Sequence, residues 1–286
     1  MPSAAGIRYL EALPAPNARP RGALILLHAF PLNARMWEGQ FALAGRGRHV
    51  VAPHVRGADG GTSDRPTAAV TMDDYAADLV DLLDALHIED AVLCGLSMGG
   101  YLALSLLRHA PNYIRAIVLA DTKSQGDSPE ALEGRRNMLS LVVPGDGAPG
   151  AVRGEGAPGV ETTGVAAVAD VMIPKLLGGT TQAQNPDLVK RVRALILSNG
   201  EDAVAGSIRA LMSRSDTTSL LGSLRIPALV IVGEEDTVTP PAVAEQLKAG
   251  IPGAELVRIP GAGHLTNLER PDAFNAALAH FLDHRV

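Results

Sequence analysis

The segment Gly95-Leu96-Ser97-Met98-Gly99-Gly100 sets a hydroxyl between an apolar run, Ala91-Val92-Leu93-Cys94, and an amphipathic stretch running from about Met98 to Arg108. A serine presented at a sharp strand-to-helix turn sits in strained backbone, so the residues two before and two after it must be small. Gly95 and Gly99 meet that demand, and Gly100 lets the helix approach the sheet closely. The free N–H groups at the start of that helix favour negative charge developing beside the serine. The chemistry this implies is nucleophilic attack by Ser97 on a carbonyl carbon.

A hydroxyl attacks only once a base removes its proton, and the base in turn needs an acceptor that fixes its tautomer. Of the eight histidines, His264 stands in a loop, Gly261-Ala262-Gly263-His264, just after an apolar run, where its ring can reach back over a sheet edge. His280 and His284 fall in a terminal helix, His87 ends a helix, and His109 follows the helix behind Ser97 at the wrong end. Asp236, in Gly233-Glu234-Glu235-Asp236-Thr237, ends another strand and is the expected acid; Asp121, at the end of Ile114–Ala120, is its rival. Glu234 and Glu235 read as solvated charges. The order Ser, Asp, His is one known solution for this constellation.

Acyl transfer also needs N–H donors for the oxyanion. Met98, directly after the nucleophile, offers one backbone N–H. Phe30 offers the second from the loop His28-Ala29-Phe30-Pro31, since Pro31 has no N–H to give. The side chains of Phe30 and Met98 are expected to wall the substrate pocket, with Trp37 as a neighbour.

These groups must be carried by strands and helices. Ala23–His28, His49–Ala52, Ala91–Cys94, Ile114–Ala120, Ala228–Val232 and Glu255–Ile259 read as strands, several of them apolar enough for burial on both faces. Helices are expected over 73–87, 98–108, 241–249 and 271–282, so the fold class is α/β, a mostly parallel central sheet flanked by helices. The strand–helix rhythm stops after Asp121. Residues 1–121 and 226–286 therefore form the core, and 122–225 form a helical lid whose Gly/Pro-rich stretch, 144–159, is expected to be a flexible loop. Within the lid, Met138, Leu139, Leu141, Met172, Ile173, Leu176 and Leu177 are candidates to line the pocket. Gly145-x-Gly147-x-x-Gly150 matches a dinucleotide fingerprint in letters only, following no strand and opening no helix.

The composition bounds the partners. A chain of 286 residues that is 47% hydrophobic can bury a sizeable core, and a formal charge of −6 without a basic tract argues against nucleic acid. No apolar run approaches the length of a membrane span. One cysteine, Cys94, precludes an internal disulfide, and a cytoplasmic location is the default expectation. Cys94 reads as a small core residue, and no histidine–carboxylate pair has metal-ligand spacing, so neither metal nor cofactor is expected.

The serine turn, His28-Ala29-Phe30-Pro31, Gly233–Asp236 with Pro240-Pro241, and Gly261–His264 together resemble the α/β-hydrolase superfamily. Within it the chain resembles the small bacterial esterases and lactonases that include 3-oxoadipate enol-lactonase. The resemblance implies a serine hydrolase of the α/β-hydrolase fold that cleaves a small carboxylic ester or lactone through an acyl-enzyme. Perhydrolysis or amide cleavage on the same triad, and a slow-turnover ligand-binding receptor of this fold, are the alternatives; association into a homodimer is left open. The sequence departs from the usual pattern at His28-Ala29, where His-Gly is common, and at His54-Val55-Arg56-Gly57, where Asp-x-Arg-Gly is common. His54 reads as a structural turn residue.

Overall fold

Runs of consecutive apolar residues make strands where both faces of a sheet can be covered. In the computed structural model, which describes residues 1–61, 65–143 and 163–286, the two strands β1 (Ser3–Ala4) and β2 (Ile7–Ala12) come first. The inner strands follow: β3 (Ala23–Leu27), β4 (His49–Pro53), β5 (Ala91–Leu96), β6 (Ile114–Ala120), β7 (Ala228–Gly233) and β8 (Glu255–Ile259). Every residue of β3, β5 and β7 is buried, and in β6 only Arg115 is exposed. The eight strands form one sheet in the order β1-β2-β4-β3-β5-β6-β7-β8. β3 to β8 run parallel, while β2 pairs antiparallel with β4, and β1 with β2. β1 and β2 were not anticipated from the sequence. β2 alternates buried with half-exposed positions, a weaker signal than a continuous apolar run.

From β3 the chain steps outward to β4 and then returns to the opposite side at β5. Where successive connections leave in opposite directions, the carboxyl ends of the neighbouring strands frame a crevice. Here that crevice lies between the loop after β3, which holds His28–Phe30, and the turn after β5, which holds Ser97.

α1 (Met72–Ala85) and α2 (Met98–His109) lie in the first half of the chain. α1 begins with a reciprocal cap: Asp74 N–H donates to the Thr71 hydroxyl (3.1 Å), and Thr71 N–H donates to the Asp74 carboxylate (2.8 Å). Such a cap contributes about 1 kcal/mol. Between β6 and β7 the described residues hold helices and no strand: α3 (Pro129–Val142), α4 (Gly164–Leu176), α5 (Gly179–Gln184), α6 (Pro186–Leu197), α7 (Glu201–Ser213) and α8 (Thr218–Leu221). α9 (Pro241–Gly250), α10 (Thr266–Glu269) and α11 (Pro271–His284) complete the chain. The Gly/Pro-rich stretch 144–159, with its G-x-G-x-x-G lettering, lies outside the described residues. No helix among the described residues is long and apolar enough to cross a membrane.

Trp37, expected beside the substrate pocket, packs into the core. Residues Ala34–Arg46 wind in 3-10 turns, a feature the sequence did not announce, and they turn Met36 and Trp37 into the core. Trp37 is wholly buried, with its ring 5.9 Å from that of Phe274 in α11 and tilted 49° to it. Its ring packs on the α11 side. Of the apolar residues suggested for the lid, Leu139, Ile173, Leu176 and Leu177 are buried in the continuous core, and Met138, Leu141 and Met172 pack against its edge.

Candidate active site

Ser97 stands at the junction of β5 and α2 with φ +54° and ψ −111°. That conformation costs a non-glycine residue on the order of 1–3 kcal/mol and persists only when its surroundings over-determine it. They do so here. Ser97 N–H donates to Ala120 O (2.9 Å), while Ser97 O accepts from Gly100 N–H (2.9 Å) and from the Thr122 hydroxyl (2.8 Å). A Cβ on Gly95 would lie 2.2 Å from Gly99 O, and one on Gly99 would lie 2.0 Å from Leu27 O. Both positions therefore exclude any side chain, as the spacing of the motif predicts.

The structure brings Ser97, His264 and Asp236 together from three loops. The Ser97 hydroxyl lies 2.8 Å from His264 Nε2, and His264 Nδ1 lies 2.8 Å from Asp236 Oδ2. Ser97 is 8% exposed, Asp236 3% and His264 1%, so the line of three groups is closed to bulk water along most of its length. Asp236 is fixed by its own turn: Oδ1 accepts from the N–H groups of Val238 (2.8 Å) and Thr239 (2.9 Å), and Oδ2 accepts from the Thr239 hydroxyl (2.8 Å). Burial works against the charge on Asp236, yet His264 and these donors hold its pKa below the ordinary carboxylate value. Burial likewise works against a charged His264, but the charge and hydrogen bond of Asp236, with the charges of Asp121 and Glu269, raise its pKa above 6.5. Opposite shifts of the two partners are what a buried ion pair requires.

Asp121 does not touch the imidazole. Its Oδ1 accepts from Gly233 N–H (3.0 Å) and its Oδ2 from the Thr266 hydroxyl (2.5 Å), which ties the end of β6 to the end of β7 and the start of α10. Burial, then the nearby Asp236, pushes its pKa well above the usual carboxylate range. Contact with His264 thus falls to Asp236 and not to its rival.

Phe30 and Met98 are buried, and neither backbone N–H donates a hydrogen bond within the described residues. The loop that carries Phe30 is held by His28, whose ring lies 3.0 Å from Ala29 O through Nδ1 and accepts from Val55 N–H (3.2 Å) at Nε2. Burial lowers the pKa of His28 to about 4, so the ring is neutral and can serve both bonds. Ala29 N–H, in the place usually taken by glycine, meets Met36 Sδ at 3.2 Å. His54, directly after β4, is buried, and neither ring nitrogen is hydrogen-bonded among the described residues; burial first, then His28, Arg8 and Arg35, lowers its pKa to about 3. With His28, Tyr75 and Leu102 it lines a small cavity beside β3, apart from the three-residue line.

Two carboxylates that sequence reasoning passed over are bound near the site. Glu235, expected to be a solvated charge, accepts from Thr180 N–H (2.8 Å) and from the Thr180 hydroxyl, and so joins α5 to the Asp236 loop. Glu269 accepts backbone N–H groups on both sides of His264. Neither partner set is readable from spacing, because Thr180 and Gly178 lie far away in the chain. Cys94 is buried in β5, where burial pushes its thiol pKa up, in keeping with a core residue. Among the described residues no cluster of histidine, cysteine and carboxylate groups could hold a metal ion.

The chain is similar to several known proteins. It is 32% identical to a thermophilic esterase from Thermogutta terrifontis, whose structure superposes with a TM-score of 0.82 over 97% of this chain and 93% of the other. An enol-lactonase from Burkholderia xenovorans LB400 superposes with a TM-score of 0.80 at 25% identity, over 98% of each chain. In sequence, 3-oxoadipate enol-lactonase 2 of Acinetobacter baylyi is 26% identical over 258 residues, which cover 90% of this chain and 87% of that protein. The family model of the alpha/beta hydrolase fold matches residues 22–271, and the chain belongs to that family.

Proposed function

We propose that this chain is a serine hydrolase that cleaves a small carboxylic ester or lactone through an acyl-enzyme intermediate. The observation that carries the reading is the unbroken hydrogen-bonded line from the Ser97 hydroxyl through His264 to Asp236. The similarity to an esterase and to enol-lactonases supports the substrate class.

His264 Nε2 takes the proton of Ser97 as Oγ bonds to the carbonyl carbon, and the imidazolium that forms is stabilised by Asp236. The N–H groups of Phe30 and Met98 meet the oxyanion. The carbon–oxygen bond to the leaving group then breaks, and the departing oxygen takes the proton from His264. Water next attacks the acyl carbon, its proton passes to His264 and returns to Ser97 Oγ, and the acid leaves. With a lactone, the alcohol and acid ends remain on one product. The helices between β6 and β7 serve as a lid that shapes the acyl pocket. No step calls on a cofactor.

Ser97→Ala is expected to abolish turnover of a short p-nitrophenyl ester, a loss of several orders of magnitude, while the circular dichroism spectrum and cooperative unfolding remain those of the wild type. Comparable turnover by the variant defeats the assignment. Tight binding of esters or lactones by the wild-type chain without turnover would instead identify a receptor.

A further inference from the structure

The loop that carries His264 is rich in small residues, Gly261-Ala262-Gly263, which give it little stiffness of its own. A catalytic imidazole nevertheless has to be held within about 0.5 Å of its productive position. Glu269, at the end of α10, supplies what the loop lacks. It is 4% exposed, and its partners are backbone amides. Oε1 accepts from Gly263 N–H (2.9 Å) and Leu265 N–H (3.1 Å), the two residues that flank His264, and Oε2 accepts from Gly178 N–H (2.9 Å) between α4 and α5. His264 N–H donates to Leu176 O (3.1 Å) in the same stretch of the insertion. Gly178 and Gly263 pack so closely that a Cβ on Gly263 would lie 2.2 Å from Gly178 N.

Burying a carboxylate is costly unless its oxygens are satisfied, and charge-assisted bonds from amides are among the stronger hydrogen bonds. Three such donors from two distant segments converge on one side chain, and together they fix the backbone before and after the imidazole. We propose that Glu269 is a positioning residue: it clasps the chain on both sides of His264 to Gly178 of the insertion and so sets where the imidazole meets Ser97. This rests on the serine-hydrolase reading above. It also makes one edge of the insertion part of the catalytic frame, not a flap hinged clear of it.

The anions facing His264 are Asp236, Asp121 and Glu269, and Glu269 contributes to the raised pKa of the imidazole. The test uses the full chain as wild type, S97A, E269Q and E269D. Rates on a non-ionising ester are followed across pH, with thermal unfolding alongside. Misplacing a catalytic group by about 1 Å costs on the order of 100-fold in rate. E269Q is therefore expected to lose about 100-fold in kcat with KM little changed. The acid limb of its pH profile should move to lower pH, because one of the three anions is gone. E269D restores the charge and should return the limb towards the wild-type position with part of kcat. A purely structural role would lower the unfolding temperature and leave the limb where it was.

Wild-type kcat and an unmoved limb in folded E269Q overturn the proposal. Should E269Q fail to fold, wild-type kcat in E269D overturns it, whereas a reduced kcat at an unchanged unfolding temperature supports it. Failure of both variants to fold also overturns it, since stability then accounts for the residue. Activity that survives S97A removes the serine mechanism and this inference with it; a dead S97A beside a wild-type E269Q removes the positioning role alone.

Discussion

At the scale of single residues, the site is defined by which carboxylate meets the imidazole. Asp236 and Asp121 both end strands of the same sheet and both lie buried near His264, but only Asp236 reaches Nδ1, at 2.8 Å. Asp121 spends its oxygens on Gly233 and Thr266, holding the ends of β7 and α10 in place. The electrostatic consequence is a histidine surrounded by anions. Burial alone would lower its pKa, but Asp236 first, then Asp121 and Glu269, raise it above 6.5. In the general-base role proposed for it, His264 works only in its neutral form, so activity is lost as pH falls through that raised value. The acid limb of kcat/KM for a non-ionising ester is accordingly expected to have its midpoint above pH 6.5, and a midpoint at or below 6.5 would contradict the charge arrangement described.

At the scale of elements, the turn between β5 and α2 holds Ser97 by excluding side chains around it. Gly99 approaches β3 so closely that a methyl group would fall 2.0 Å from the carbonyl oxygen of Leu27, which is backbone and cannot swing aside. Gly99→Ala must push α2 away from the sheet and shift Ser97 with it. Overpacking of this kind costs about 1–3 kcal/mol, and displacement of the nucleophile by about 1 Å costs on the order of 100-fold in rate. We expect both effects together, read as a lowered urea midpoint and a reduced kcat on the same preparation. The turn motif could be read in the sequence because part of its constraint is local: the clash that demands glycine at 95 is with Gly99 and Gly100, a few residues from the serine. The 3-10 stretch Ala34–Arg46 gave no such signal. Its residues are ordered by what they pack against, as Trp37 is by Phe274.

At the scale of the whole molecule, the insertion between β6 and β7 is joined to the core by polar contacts on several sides of the site. Asn199, between α6 and α7, donates to Pro31 O (2.8 Å) beside the Phe30 loop and accepts from Asp59 N–H (2.8 Å). Glu235 and Glu269 hold the stretch 178–180. Near α2, Arg214 at the end of α7 pairs with Asp127 at 2.5 Å and stacks over the Tyr101 ring, 4.0 Å from its centroid. Asp127 also pairs with Arg135 of α3. Removing one partner of a buried pair leaves the other charge uncompensated, so Asp127→Ala is expected to destabilise the chain by about 3 kcal/mol in urea unfolding. Burial opposes the charge on Asp127, but its arginines hold its pKa below 3.8. Its contribution is therefore present at pH values above 3.8 and is lost as pH falls through the depressed value. An Asp127→Ala chain should lose less stability than the wild type when acidified over that range.

Taken alone, the order of residues marked the inner strands β3 to β8, the serine turn, and Ser97 and His264 at strand ends with two candidate acids beside them. Each of these depends on short-range constraints: hydrophobic periodicity, steric exclusion at a turn, and the appearance of a polar residue just where a buried strand ends. Tertiary structure alone decided the partner choice between Asp121 and Asp236, the full burial of Trp37, and the hydrogen-bond partners of Glu235, Glu269 and Asn199. Those outcomes turn on contacts between segments tens to more than a hundred residues apart, such as Gly178 with Glu269 or Asn199 with Pro31. A buried carboxylate and a solvated one look alike in sequence, and only packing determines which amide groups come within reach.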